Sequence, residues 1–298
     1  MGKRITKLSW AWLTTAALTV PVLTAAAHAG DNGTAFKFVE AGDCAKKRAE
    51  EVCIGEPLIQ GSTVTALDVL RDIYPGLGPD GQGNRFAGAE AIEAASDPDA
   101  GEPADRAISI SNGTLAEIAV IESGELAYAA AVSSGVVAVA QIRPDYKPLG
   151  RLLVATDPGG LTGGYRLLLA APASPVVVTD SSHFNSEEGF DSLQLAGVIG
   201  GELVDLYEGP YLYSLTQATE HCQTLEHRES ITSFETRKQS HHGLADIGIG
   251  IEYTATCVNG EKRKPAGKKS FPLRLAYDGA RYDGNSSAID DFNSSFTE

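Results

Sequence analysis

The nine residues TEHCQTLEH, positions 219–227, hold two histidines, two glutamates and a cysteine. With His241 and His242 they place four of the chain's six histidines within 22 residues. Zinc takes three or four N, S or O ligands arranged tetrahedrally. His221, His227 and one of His241 and His242, with Glu220 or Glu226, would supply them if two strands met there. That reading implies Zn as cofactor and a secreted, metal-assisted hydrolase working through the 221–242 region. The spacing contains neither HExxH nor Cys-x-x-Cys. The competing reading makes Cys222 one end of a disulfide and the histidines polar residues beside it.

Cysteine arithmetic supports the second reading. The four cysteines, Cys44, Cys53, Cys222 and Cys257, allow three pairings, and proximity in sequence favours Cys44–Cys53 with Cys222–Cys257. Two bridges leave no unpaired thiol, the ordinary state in an oxidising compartment. The first pair carries a condition. A continuous helix would set these Cα atoms roughly 13 Å apart, whereas a disulfide needs about 4.4–6.8 Å, so AKKRAEEV must turn back before Cys53.

Other catalytic patterns are weak. No Gly-x-Ser-x-Gly elbow exists. Ser181-Ser182-His183 sets a hydroxyl beside an imidazole, but adjacent strand residues face opposite ways, and the segment reads as a loop. Glu187-Glu188 and Asp290-Asp291 read as solvated charge rather than a glycosidase pair. Two binding features stand out. Lys262, Arg263, Lys264, Lys268 and Lys269 cluster in NGEKRKPAGKKS, read as a loop opened by an Asn-Gly turn, and would suit an anionic partner. Tyr207, Tyr211 and Tyr213 lie within seven residues. Tyr211 and Tyr213 would project from one strand face, as a platform for sugar or peptide or as a half-buried face. Asn32, Asn112, Asn285 and Asn293 each begin an Asn-x-Ser/Thr triplet, relevant only in a eukaryotic source.

The elements that must position these residues are mostly strands. Residues 30–96 read as a small helical N-terminal region: CAKKRAEEV as an exposed helix, AGAEAIEAAS as a short one, and TALDVLRDIYPG with a capping box at Thr65 and Asp68. GLGPDGQGN reads as a turn, since it lacks the Lys and Ser/Thr of a phosphate loop. DPDAGEPAD, 97–105, has linker composition. From 106 to 290, short apolar segments separated by turn residues predict an antiparallel β domain, whether sandwich, open barrel or partial propeller. RLLVATDPGGLTGGYRLLL reads as a strand pair about a Pro-Gly-Gly turn. Residues 291–298 read as a flexible tail.

The start, MGKRITKLSWAWLTTAALTVPVLTAAAHAG, has a basic head, an apolar run and an Ala-x-Ala site, which predicts a Sec-type signal peptide cleaved after Ala29. Pro21 and the interspersed threonines argue against an uncleaved anchor, and no later stretch is apolar enough to span a membrane. The leader carries three of the 24 basic residues and no acidic one, leaving 21 against 39 acidic residues, a net charge of −18. That charge repels phosphate backbones and anionic membranes, so nucleic acid is a poor partner.

GVIGGELVDLYEG and HGLADIGIGIEYT each run turn, acidic residue, alternating strand; with PLRLAYDGARY, the span 190–285 resembles the degenerate β-repeats of secreted bacterial FG-GAP/VCBS-like proteins. The resemblance implies their β fold. It does not carry over their calcium loops, because Gly197–Gly201 and His242–Leu244 lack the oxygen ligands. The combined expectation is a secreted or periplasmic, disulfide-stabilised, non-catalytic binding protein for an unknown extracytoplasmic protein or polysaccharide. The alternatives are the hydrolase above and an inhibitor or effector docking an acidic partner through residues 262–269.

Overall fold

The computed structural model describes residues 33–39, 44–45, 47, 49, 51–83, 108–109, 117–133, 135–154, 165–184 and 187–295. The expected leader, AGAEAIEAAS, the expected 97–105 linker, Asn112 and the expected Pro158-Gly159-Gly160 turn lie outside them.

The fold is mainly β. One sheet runs β2-β1-β5-β6-β7-β8, from β1 (Thr34–Val39), β2 (Glu51–Cys53), β5 (Glu117–Ser123), β6 (Leu126–Ser133), β7 (Val136–Arg143) and β8 (Lys147–Leu153). All its pairs are antiparallel except β1 with β2. A two-residue ribbon joins β3 (Gln82–Gly83) to β4 (Ile108–Ser109).

The second sheet is an antiparallel meander of eight strands in chain order. These are β9 (Tyr165–Ala171), β10 (Ser174–Phe184), β11 (Glu188–Ile199), β12 (Glu202–Gln217), β13 (Thr224–His241), β14 (Leu244–Asn259), β15 (Lys262–Tyr277) and β16 (Tyr282–Gly284). Its edge strands β9 and β16 do not pair, so it is not a closed barrel.

Three expectations change here. The described part of residues 30–96 is not mainly helical: it holds β1, β2, β3 and one five-residue helix, α1 (Ala66–Leu70). That helix does start at the expected capping box, Thr65 Oγ1 accepting from the Asp68 amide. A continuous helix through CAKKRAEEV is excluded, because the Cys44–Cys53 bridge sets its flanking Cα atoms 5.8 Å apart and Glu51 already opens β2. The segments around Pro158 are not a hairpin either, for β8 ends one sheet and β9 begins the other.

The middle of the first sheet, β6 and β7, is buried on both faces. Along β6, Ala127, Ala129 and Ala131 join a core roofed by α1 and its flanking residues, while Tyr128, Ala130 and Val132 join the core shared with the second sheet. With both faces dry, neither needs polar residues, so these strands read as continuous apolar runs rather than alternating ones. The sheets approach closely where β1 meets β9. The Gly33 amide donates to the Leu167 carbonyl at 2.6 Å, and any Cβ on Gly33 would sit 2.8 Å from the Val120 oxygen.

The second sheet divides at a corner. β12 pairs β11 from Ile199–Glu202 to Glu188–Leu215, but it pairs β13 only over Ser214–Gln217. Beyond that, β13 continues with β14 alone to the His241–Leu244 pair. The two four-stranded halves share one core, in which Leu168 and Val178 of the first half sit with Ile249 and Leu273 of the second. A C-terminal helix, α2 (Ser287–Ser294), buries Ile289 in that core, so the expected tail is helical as far as Ser294. The turn His242-Gly243 has φ of 48° and 87°, the left-handed pair that a two-residue hairpin demands.

Candidate functional site

The far end of the β13–β14–β15 hairpins forms an arm held by a staple. Cys222, just before β13, is bonded to Cys257 on β14, with Cα atoms 5.4 Å apart. Gln223 clamps the arm's Asn259-Gly260 tip from two sides. Its amide donates to Asn259 Oδ1 at 2.7 Å, and its Oε1 accepts from the Gly260 amide at 2.8 Å. TEHCQTLEH is therefore the connection that turns β12 into β13 and ties it to the arm. Both bridges follow the pairing that sequence proximity favours.

The five cations lie on a strand, not in a loop. Only Gly260 and Glu261 form the turn, and Lys262 opens β15, paired with Asn259. Alternation then splits the cations. Phe271 and Leu273 face the core, which sets Lys269 on the inner side. The register shift near Ala255 puts Lys262 and Lys264, opposite Asn259 and Cys257, on that side too. Arg263 and Lys268 point outward and are already matched, Arg263 with Glu226 and Lys268 with Glu252 at 2.6 Å. The Lys269 ammonium stands over the rings of Phe271 and Phe292, 4.7 and 4.6 Å from their centroids. Lys262 and Lys264 alone among the five show no such engagement among the described residues.

The histidines do not converge. His227 and His241 stand at opposite ends of one strand, roughly 45 Å apart at about 3.3 Å per residue. His221 is exposed beside the staple, and His242 occupies the distant hairpin turn. Strand geometry thus keeps the four from sharing one metal. His241 instead bonds Asp246 Oδ1 at 2.6 Å, and Arg274 Nε reaches Oδ2 at 2.8 Å. Burial alone would raise the Asp246 carboxyl, but these two partners outweigh it and hold it below its ordinary range.

A second polar group sits at the β12–β13 corner, and sequence reasoning missed most of it. Glu229 is 2% exposed. Its Oε2 accepts from the Tyr213 amide at 3.0 Å, the first β12 amide past the paired stretch. Its Oε1 has no hydrogen-bond partner among the described residues. Burial pushes this carboxyl above its ordinary range, against the opposing Tyr213 amide and Asn293 side chain. Two residues earlier, His227 Nδ1 bonds the Tyr253 hydroxyl, and burial holds the imidazole below its ordinary range. The available signal was phase: His227 and Glu229 alternate with Leu225 and Ile231 on the core side of β13.

The remaining candidates disperse. Tyr207 and Tyr213 are buried, Tyr213 against Phe190 and donating to Glu188 Oε1 at 3.2 Å; they are core, not platform. Tyr211 pairs Ser192 by backbone register, and its side chain lies outside the described set. Ser181-Ser182-His183 is strand rather than loop, part of β10. Glu187 is exposed, and Asp290 accepts from Ser286 Oγ at 2.7 Å. On β10, burial and then the nearby Asp191 push Asp180 up to about 6. No family model, curated protein or solved structure matches the chain.

Proposed function

We propose that this is an exported, disulfide-stapled binding protein that holds an anionic extracytoplasmic partner at the cationic end of the β14–β15 arm. One observation carries the reading: every residue of β15 from Lys262 to Ser270 is exposed while the strand stays paired with β14. A paired strand wet on both faces, stapled and clamped at its tip, is preorganised for contact at low entropic cost. Charge complements this, since the chain as a whole is at −15 and the arm presents Lys262 and Lys264 unmatched. The contact is through side chains rather than strand addition. β15 meets β16 only at Leu275–Tyr277, but Pro265 and Pro272 remove donors from its open edge and lysines flank it, which makes it a poor template for another strand.

Two disulfides, and no described helix long and apolar enough to cross a membrane, are compatible with this setting. The proposal keeps the resemblance to FG-GAP/VCBS-like repeats. Retention of the oxidised protein on an immobilised sulfated polysaccharide tests the arm. K262Q/K264Q should elute at clearly lower salt than wild type. Unchanged elution, with wild type retained, would remove the arm from the reading.

A further inference from the structure

Helix α2 lies over the corner where β12 leaves β13. It is held there by three side chains: Ile289 in the core, Phe292 edge-on to Tyr253 with centroids 4.7 Å apart, and Asn293, which hydrogen-bonds Glu229. Glu229 touches both sides of this joint, because its Oε2 also receives the Tyr213 amide of β12. A carboxylate so placed has two costs. It is almost wholly removed from water, and one of its oxygens has no partner among the described residues. An ionised carboxylate buried that way is expensive unless paired with a cation. A neutral carboxyl is not, and its hydroxyl hydrogen supplies a donor that the ionised form lacks.

We propose that α2 is a pH-sensitive latch whose catch is Glu229: the protonated carboxyl seats the helix on the β12–β13 corner, and loss of that proton to solvent loosens it. The groups facing the catch fix the sign. Tyr213 of β12 contributes only its amide. From β14, Tyr253, the register partner of Glu229, contributes a phenol. Asp290 of α2 adds a negative charge that disfavours ionisation. Lys269 of β15 stands against the same helix, but its ammonium is committed to the rings of Phe271 and Phe292. His227 on β13 works in the opposite direction, since burial keeps its imidazole neutral and protonating it costs docking energy.

The docked state raises the Glu229 pKa above that of an exposed glutamate, so docking is tightest below the ordinary glutamate range. It weakens as pH rises through the docked value, by roughly tenfold for each unit of the raise. Protonation of His227 trims docking again at the acid end. The latch does not depend on what the arm binds.

Hydrogen exchange over residues 287–295 of the full, oxidised protein between pH 5 and 8 reads the opening, once the intrinsic pH dependence of exchange is removed. Wild type should open more as pH rises, and Glu229→Gln should flatten that rise while H227Q leaves it in place. Equal slopes in wild type and E229Q, or a wild-type slope of opposite sign, would overturn the latch. If E229Q does not fold, F292W in the Glu229 background decides. After leader removal it is the sole tryptophan, the natural two being Trp10 and Trp12. Its emission should shift to the red as pH rises; a fixed or blue-shifting emission refutes the proposal.

Discussion

The six-stranded sheet and the β13–β15 arm are built from the same element on opposite terms. In β6 and β7 almost every side chain is buried, and alanine and valine fill both faces. In the arm the outer face carries Arg263, Lys268, Glu226 and Glu252 in ion pairs, and the inner face of β15 carries the exposed Lys262 and Lys264. The first region gains its stability from dry contact on both sides. The second reaches further from the core than apolar burial alone supports, and makes up the difference with a disulfide, a two-point glutamine clamp and the corner cluster. Burial leaves β6 and β7 no surface to use. Function is therefore sought in the arm, where a rigid backbone presents exposed side chains.

The largest effect that would break this comparison is a buried charge. Val139→Asp, on a fully buried residue of β7, should cost several kcal/mol, enough to abolish cooperative unfolding of a marginal domain. Ala266→Asp, on the exposed stretch of β15 in the arm, should stay within about 0.5 kcal/mol. Urea melts of both would show it; similar losses would mean that the arm is as tightly packed as the sheet.

The two staples give a finer test, one in each region. The loops closed span 35 and 9 residues, so loop-closure entropy predicts a loss of about 4 kcal/mol for C222S/C257S and roughly 2.5 kcal/mol for C44S/C53S. The reverse ranking in chemical denaturation would mean that the arm retains its shape without its staple.

The pH dependence adds a test of sign, because Asp246 and Asp180 are shifted in opposite directions. Asp246 is held low, so its contribution is present above the unfolded pKa and is lost as pH falls through the folded one. Asp180 is raised to about 6, so it favours the fold at pH 4 and that advantage is lost as pH climbs to about 6. Asp180→Asn should therefore match wild type near pH 4 and exceed it at pH 7, whereas Asp246→Asn should fall below wild type at pH 7 and converge with it in acid. Stability measured at those two pH values checks both, and parallel shifts would reject the assignment.

Much of the architecture was legible because it is local. The Thr65–Asp68 capping box, the hairpin turns at Gly200-Gly201, His242-Gly243 and Asn259-Gly260, and the strands between them follow from steric preferences and alternation within a few residues. The described part of 30–96 departs from the helical expectation because charge density in CAKKRAEEV imitates an exposed helix, while the chain there is governed by the Cys44–Cys53 bridge and by pairing of β1 with the distant β5. The candidate site was legible only in its residue types. Lys262 to Lys269 looked like one patch because sequence adjacency does not show which face of a strand a side chain takes, and the register shift at Ala255 reassigns those faces again.

By itself, then, the sequence determined the β-rich character, the places where the chain turns and the pairing of its cysteines, all properties set by neighbouring residues and short loops. Only the tertiary structure decided that β8 and β9 belong to different sheets, that β12 and β13 separate at a corner, and that Glu229 is buried there beneath α2. Those outcomes depend on which distant surfaces exclude water together, and the strength of a carboxyl group or a lysine is set by that exclusion rather than by its neighbours in the chain.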